Sequence, residues 1–470
     1  MTDYHQQIQG IRDKLLDAKK TDKKLKVFGA DKHKYAINKP STEKEVSKFE
    51  NEYSIILPEC YRTFILHVGN GGISFANSAA GPYFGIYPFG EKVDELIYDK
   101  TEKYLKNECV LYPKMTDDYW KSLTINIDDN DDISDEDYEK EVGKIYAGIL
   151  PIGSQGCTYL HGIVLNGQFK GRVVNLDIDR QKPQFTFENN FLDWYERWLD
   201  EVISGDLIKD SPSWFGYNKG GTEEELLNYF TTSVNLETQN DSLKGLLNKN
   251  SLKPQTLNEI EHLISSNSEH ISLLIELICK TNYTKAKPYL LGLSKSDLLS
   301  TYQILYYHAK DKSSEWLLNI SENIGNINDS ETFRFCTYLL RETNTDFGRL
   351  IIPFVKNDDE NIRVQTFYIL GQLKNKKDYL DYFIEGLNDK SNRVIHSTLQ
   401  ALTDVKDKRL LEHYRTIAEK FPVEQDHILV NLNHRLAEYG LTDRIILNKN
   451  DDYFTKSLTI ITKKWYELWK

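Results

Sequence analysis

The densest cluster of chemically active side chains in this sequence is acidic. Asp128, Asp129, Asp131, Asp132, Asp135, Glu136, Asp137, Glu139 and Glu141 crowd one short segment. Such carboxylates either coordinate a hard cation or attract a cationic protein. A calcium loop opening at Asp128 would place Asp128, Asn130, Asp132, Ser134, Glu136 and Glu139 at ligand positions. Its sixth position is Ile133, where the sharp turn needs glycine, and its eighth is Asp135, usually apolar. No metal is therefore expected. Two readings remain: a solvated, flexible loop, because like charges repel and extend, or a docking segment for a basic partner. A second binding candidate is Gly81-Pro82-Tyr83-Phe84-Gly85, followed by Tyr87. Gly and Pro make a tight turn there while the aromatics pack a sheet. If exposed, Tyr83 and Tyr87 would be interface anchors, since tyrosine is enriched at binding hot spots.

No catalytic arrangement is legible. The eleven histidines form no HExxH or other metal spacing. His427 and His434 lie seven apart on an expected helix, but no third ligand accompanies them. Gly153-Ser154-Gln155-Gly156 is not a nucleophile elbow, and no Walker or dinucleotide glycine pattern occurs. Cys60, Cys109, Cys157, Cys279 and Cys336 are widely spread, which excludes a zinc ribbon. Cys157 has no flanking His or Asn to lower its pKa, so a buried structural thiol is expected. The expectation is a protein that is not an enzyme, with no catalytic residues and no cofactor.

The elements that would position these groups fall into two halves. Of 26 glycines, 19 lie at or before Gly221, and eight of 12 prolines lie at or before Pro212. Since these residues punctuate turns, the first half is turn-rich and the second reads as successive helices. The change falls at residues 206–221, the expected linker between a domain at 1–205 and a helical domain at 222–470. Thr42-Glu43-Lys44-Glu45 and Thr222-Glu223-Glu224-Glu225 each match a capping box that opens a helix. Leu57-Pro58 separates two helices, and Asn70-Gly71-Gly72 ends the second. Ile149–Ile152, Thr158–Leu165 and Arg172–Leu176 read as strands, with Asn166-Gly167 as a hairpin turn. Phe191, Trp194, Trp198 and Val202 mark one face of a closing helix. Helices, a meandering sheet and a helix make an α+β domain.

Net charge is −12 over 470 residues, so direct nucleic-acid binding, which needs Lys and Arg against phosphate, is not expected. No run approaches the 18 apolar residues of a membrane span, and the N-terminus lacks a signal-peptide core. With a sparse, odd cysteine count, a cytoplasmic location is expected.

The order Glu45…Phe49-Glu50…Tyr53…Leu57-Pro58…Tyr61…Phe64…Asn70-Gly71-Gly72 resembles the SUKH superfamily. Gly81-Pro82-Tyr83-Phe84-Gly85-Ile86-Tyr87-Pro88, Leu150-Pro151-Ile152-Gly153, Gly162, Gly171-Arg172-Val173 and Phe191 continue the resemblance, which covers about residues 28–205. It implies a bacterial immunity protein that binds and neutralises a cognate toxin, although some eukaryotic members are regulators. A nuclease toxin would be basic, because it grips phosphates. The segment from Pro88 to Leu150, which holds the acidic run, has no counterpart in the pattern. The second half resembles HEAT-type repeats. Arg363-Val364 and Arg393-Val394 lie 30 residues apart, and Ile369/Leu399 and Leu380/Leu410 keep that spacing. An Asp in each turn is expected to pair with an Arg of a neighbouring repeat. The fold expected is thus an α+β SUKH-like domain followed by an all-α HEAT-like solenoid. The partner expected is a basic toxin domain, met by Asp128 to Asp137 and by Tyr83 and Tyr87. The alternative is a scaffold or regulatory protein that uses the solenoid.

Overall fold

The computed structural model describes residues 4–130, 132–209, 214–266, 268–421 and 426–448. The chain divides into two compact units, residues 1–262 and 263–470.

The first unit opens with helices α1 (His5–Thr21), α2 (Glu43–Tyr53) and α3 (Glu59–His67). Thr42 and Glu45 form the reciprocal capping box at the start of α2. Two further helices follow, α4 (Asp117–Asp128) and α5 (Asp135–Ile145). Then come strands β1 (Ile149–Gly156), β2 (Tyr159–Val164), β3 (Val173–Asp177) and β4 (Gln184–Phe185), and helix α6 (Phe191–Ile203). The strands form one antiparallel sheet in the order β1-β2-β3-β4. The β2–β3 connection is longer than the two-residue hairpin expected at Asn166-Gly167: the ladder extends to the Gly171 N–H and the Val164 carbonyl. Tyr83–Tyr87 is not a strand, yet the Phe84 and Tyr87 amides donate to the Ser154 and Ile152 carbonyls and so cover the outer edge of β1.

Both faces of this sheet are buried. Leu150, Ile152, Ile163 and Val173 face a core shared with Phe64 of α3 and with Phe191, Trp194 and Trp198 of α6. Ile149, Leu160, Val174 and Leu176 face a second core, built from Trp120 and Ile127 of α4 and Val142 and Ile145 of α5. The segment between Pro88 and Leu150, whose acidic run at 128–141 is expected as a solvated loop or a docking segment, is therefore mostly the cover of a second apolar face. Water against Ile149 and Leu176 would cost roughly 25 cal/mol for each Å² left exposed, which is why a strand set apolar on both sides needs two layers of helix.

The expected linker at 206–221 is likewise part of the first unit in its described residues. Leu207 and Phe215 are buried in the main core. Arg197 of α6 donates to the Asn218 carbonyl at 2.7 Å and pairs with Glu188 and Glu201, each at 2.7 Å. Tyr83 Oη donates to the Phe215 carbonyl at 3.2 Å, and Tyr217 Oη to Gln155 Oε1 at 3.0 Å. Pro212 lies outside the described residues. Helices α7 (Glu223–Thr232) and α8 (Leu236–Asn248) then pack on each other. Lys249 binds Asp206, and Lys114 binds Glu237 and Asp241, so both helices belong with residues 1–205. Helix α9 (Pro254–Ile264) carries the chain to the second unit.

The second unit is all-helical in its described residues. Helices α10 (Ile271–Thr281), α12 (Leu298–His308), α14 (Ser330–Glu342), α16 (Glu360–Leu370), α18 (Asn392–Ala401) and α20 (Asp426–Ala437) stack in series. Between them run α11 (Tyr283–Leu293), α13 (Leu317–Asn323), α15 (Gly348–Ile351), α17 (Leu380–Leu387) and α19 (Arg409–Lys420), and α21 (Asp443–Leu447) follows α20. Ile369, Leu399, Leu380 and Leu410, the positions that keep the 30-residue period, are all buried. Arg363 is buried and donates to both carboxylate oxygens of Asp389, at 2.9 and 3.1 Å, and to the Asn357 and Asp358 carbonyls. Arg393 is exposed and meets Glu360 and Asn361 instead. No described helix of either unit is long and apolar enough to cross a membrane.

Candidate functional site

The acidic run occupies the end of α4, the turn after it and the first turn of α5. Thr116 caps α4 and Ser134 caps α5, each hydroxyl accepting an amide N–H. Asp135, Glu136 and Asp137 then sit at a helix N-terminus, where the backbone dipole favours negative charge. Asp128, Asp129, Asp132, Asp135, Glu136 and Asp137 are all exposed. Asp131 lies outside the described residues. The Arg180 guanidinium reaches Asp128 at 3.2 Å and the Tyr138 hydroxyl at 3.0 Å, and Lys182 pairs with Asp117. These two cations offset only part of the charge. The hairpin thus presents ordered carboxylates on helical scaffolding rather than on a flexible loop. Among the described residues no group of three His, Cys, Asp or Glu could hold a metal ion.

Tyr83 and Tyr87 are not interface anchors, because the fold buries both; Tyr83 is 8% and Tyr87 2% exposed. Tyr83 adopts a left-handed backbone (φ 54°) against Gly29, where a Cβ would approach the Tyr83 carbonyl oxygen to 1.8 Å. Its ring packs on Phe28 and His161. Burial raises both phenols far above their ordinary pKa.

The exposed apolar groups lie beside them. Ile73 and Phe75 are more than half exposed and line a groove of about 610 Å³ with Phe84, Lys32, Lys34 and the β1–β2 turn. Ser74 Oγ donates to the Phe84 carbonyl at 2.7 Å and fixes one wall. Cys157, expected as a buried thiol, is exposed on this turn. Left-handed non-glycine residues gather around the groove: Lys34, Tyr35, Ala76, Asn77, Tyr83 and Cys157. Each such conformation costs on the order of 1–3 kcal/mol and persists only where its surroundings impose it. Sequence periodicity carried no sign of the groove; the paired apolar residues Ile73 and Phe75 after a Gly-Gly stop were its one trace.

A buried polar cluster joins β1, β2 and β3. His161 Nδ1 sits 3.1 Å from Asn175 Oδ1 and 3.2 Å from Gln155 Nε2, and its ring meets Trp194 edge-on. Burial pushes its pKa down to about 3, against the opposing hydrogen bond to Asn175. His33, between Tyr35 and Trp198, is lowered to about 4 by burial against the opposing charges of Asp22 and Asp31. Neutral, enclosed imidazoles of this kind organise a core and are closed to solvent.

No curated protein and no solved structure matches the chain. The helix–Leu-Pro–helix start, the meandering sheet and the closing helix α6 do correspond to a known family model. Residues 40–197 match the model of the SMI1 / KNR4 family (SUKH-1).

Proposed function

We propose that this chain is a bacterial immunity protein that binds and neutralises a cognate toxin of a polymorphic toxin system from the cytoplasm. The SUKH-1 match at residues 40–197 carries this reading, because that family often serves as protein-binding immunity modules. The first unit offers two surfaces suited to a protein partner. The α4–α5 hairpin presents carboxylates that would steer a basic toxin, such as a nuclease domain, toward the unit. The Ile73–Phe75 groove would supply the apolar anchor in place of Tyr83 and Tyr87. We read the chain as a binder rather than an enzyme.

The test pairs protection with kinetics. Cells producing the toxin encoded beside this gene should survive when the full chain is co-expressed, and the two proteins should co-purify. Neither protection nor a complex would end the immunity reading. Replacing Asp128, Asp129, Asp132, Asp135, Glu136 and Asp137 by Asn or Gln should slow association and flatten its salt dependence, with less change in dissociation. Parent-like association at low and high salt would remove the electrostatic role alone. Phe75→Ala should mainly speed dissociation.

A second reading draws on the Arg363–Asp389 link and the serial helix stack of the second unit. A HEAT-like solenoid built this way would serve as a scaffold for a different partner. Toxin protection that survives with residues 1–262 alone would leave that role to the second unit.

A further inference from the structure

The open edge of the sheet lies at β4, and a cavity of about 450 Å³ runs along it. The register shows which backbone groups that edge leaves over. Thr186 N–H donates to the Val173 carbonyl and Gln184 lies opposite Asn175, so these two positions direct backbone groups toward β3. Phe185, opposite Val174, lies between these bonded positions, so alternation turns its N–H and C=O away from β3, toward the open edge. No hydrogen bond among the described residues takes them up.

The side chains along this edge are cationic, in a protein of net charge −12. Lys114, Arg172, Lys182, Lys219 and Lys244 line the cavity against two carboxylates, Glu237 and Asp241. Both carboxylates are already paired with Lys114, at 2.9 and 3.0 Å. Lys182 is paired with Asp117. Arg172, Lys219 and Lys244 have no carboxylate within ion-pair distance among the described residues. Arg172 is half-buried; its Nη2 donates to the Thr186 carbonyl, and its buried Nε has no partner. Lys219 lies over the Tyr229 ring, 4.3 Å from its centroid. A half-buried guanidinium that no carboxylate contacts directly, beside the unspent backbone groups of Phe185, is complementary to a carboxylate on an extended backbone.

We propose that an extended acidic peptide segment of a partner protein adds to the sheet at β4, pairing with the outward backbone groups of Phe185 and placing carboxylates against Arg172, Lys219 and Lys244. This surface is separate from the acidic hairpin, and the inference does not depend on any toxin.

The experiment uses the full chain and a fluorescein-labelled peptide of alternating Glu and Val, read by anisotropy at low salt. The Glu/Val peptide should bind, and a Lys/Val peptide should not. Arg172→Gln, and separately Lys219→Gln with Lys244→Gln, should each weaken binding by about tenfold or more, as expected for loss of charge-assisted bonds. A Glu/Val peptide N-methylated at alternate amides should lose affinity by a similar factor, since it cannot continue the ladder. Should Arg172→Gln fail to fold, the exposed Lys244 and the Lys219 substitution keep the test intact. Absence of Glu/Val binding, equal binding of Lys/Val, or parent-like binding by the lysine variant would overturn the proposal. Undiminished binding of the N-methylated peptide would overturn strand addition.

Discussion

Arg363 and Arg393 lie 30 residues apart, in two stretches of the second unit whose buried residues keep that spacing, and they do different things. The Arg363 side chain is 5% exposed and forks onto Asp389 of the next stretch. The Arg393 side chain is 64% exposed and pairs with Glu360 of the previous stretch. The difference comes from what stands ahead of each. Helix α17 ends at Leu387, so Asp389 sits in a turn, aimed back at Arg363. The position 30 residues further is Glu419, still inside the longer helix α19 (Arg409–Lys420) and facing solvent. A repeat spacing marks where an arginine will fall; the length of the following helix decides whether it becomes a buried clasp.

The comparison extends to Arg197, which clasps the first unit as Arg363 clasps the second. It holds two carboxylates and the 218 carbonyl, all largely buried. The largest expected effect follows. A fragment ending at residue 210 would strip Phe215 from Trp194 and Asn218 from Arg197. It should unfold without a cooperative transition, whereas residues 1–262 should melt cooperatively. Circular dichroism against denaturant distinguishes them; equal cooperativity would restore residues 206–221 to the role of a linker.

Next in size is Arg363→Ala. Removing one partner of a buried pair strands the other, and about 3–5 kcal/mol of stability should be lost. Chemical denaturation of the full chain, followed by hydrogen exchange in α16 and α18, measures it.

Acid should weaken the first unit. His33 and His161 have folded-state pKa values of about 4 and about 3. Both lie below the ordinary histidine value, about 6.5. Above that pH neither ring is protonated in either state. As the pH falls below it, only the unfolded chain gains protons, so the first unit should lose about 1.4 kcal/mol per pH unit per histidine. The loss continues until the folded pKa is reached. His161→Gln should reduce the slope between pH 6 and pH 4 in urea titrations, taking those bounds as about the interval between the two pKa ranges; an unchanged slope would contradict the enclosed, neutral ring.

The smallest effect is that of Arg393→Ala. An exposed pair contributes roughly 0–1 kcal/mol, so this variant should melt close to the parent. A loss comparable with that of Arg363→Ala would show that both stretches carry an equivalent clasp.

Much of the architecture was legible in the residues. Local chemistry writes capping boxes at Thr42 and Thr222, the Leu57-Pro58 break, the strands of β1 to β3 and the apolar face of α6, because each depends on neighbours a few positions away. The 30-residue spacing of buried Ile369 and Leu399 was legible for the same reason. The candidate site was legible only as composition: a cluster of carboxylates and a pair of tyrosines. Even the insertion held readable signals, with Trp120 and Ile127 seven apart and Ser134 ahead of Asp137, but the density of charge masked them.

What tertiary structure alone decided was exposure. Tyr83 and Tyr87 and the neighbouring Ile73 and Phe75 are all apolar or aromatic, and nothing in their order says which pair faces water. The choice is made by Gly29, Phe215 and β1 closing over the tyrosines from distant parts of the chain. Likewise the charge of the acidic segment was evident in sequence, whereas its placement on two helices followed from a sheet with a second apolar face to cover. Arginine at a repeat position was evident too; its burial at 363 and exposure at 393 depended on where the next helix stopped. Local spacing selects elements, and burial is set by contacts between residues far apart in sequence, which only the folded chain brings together.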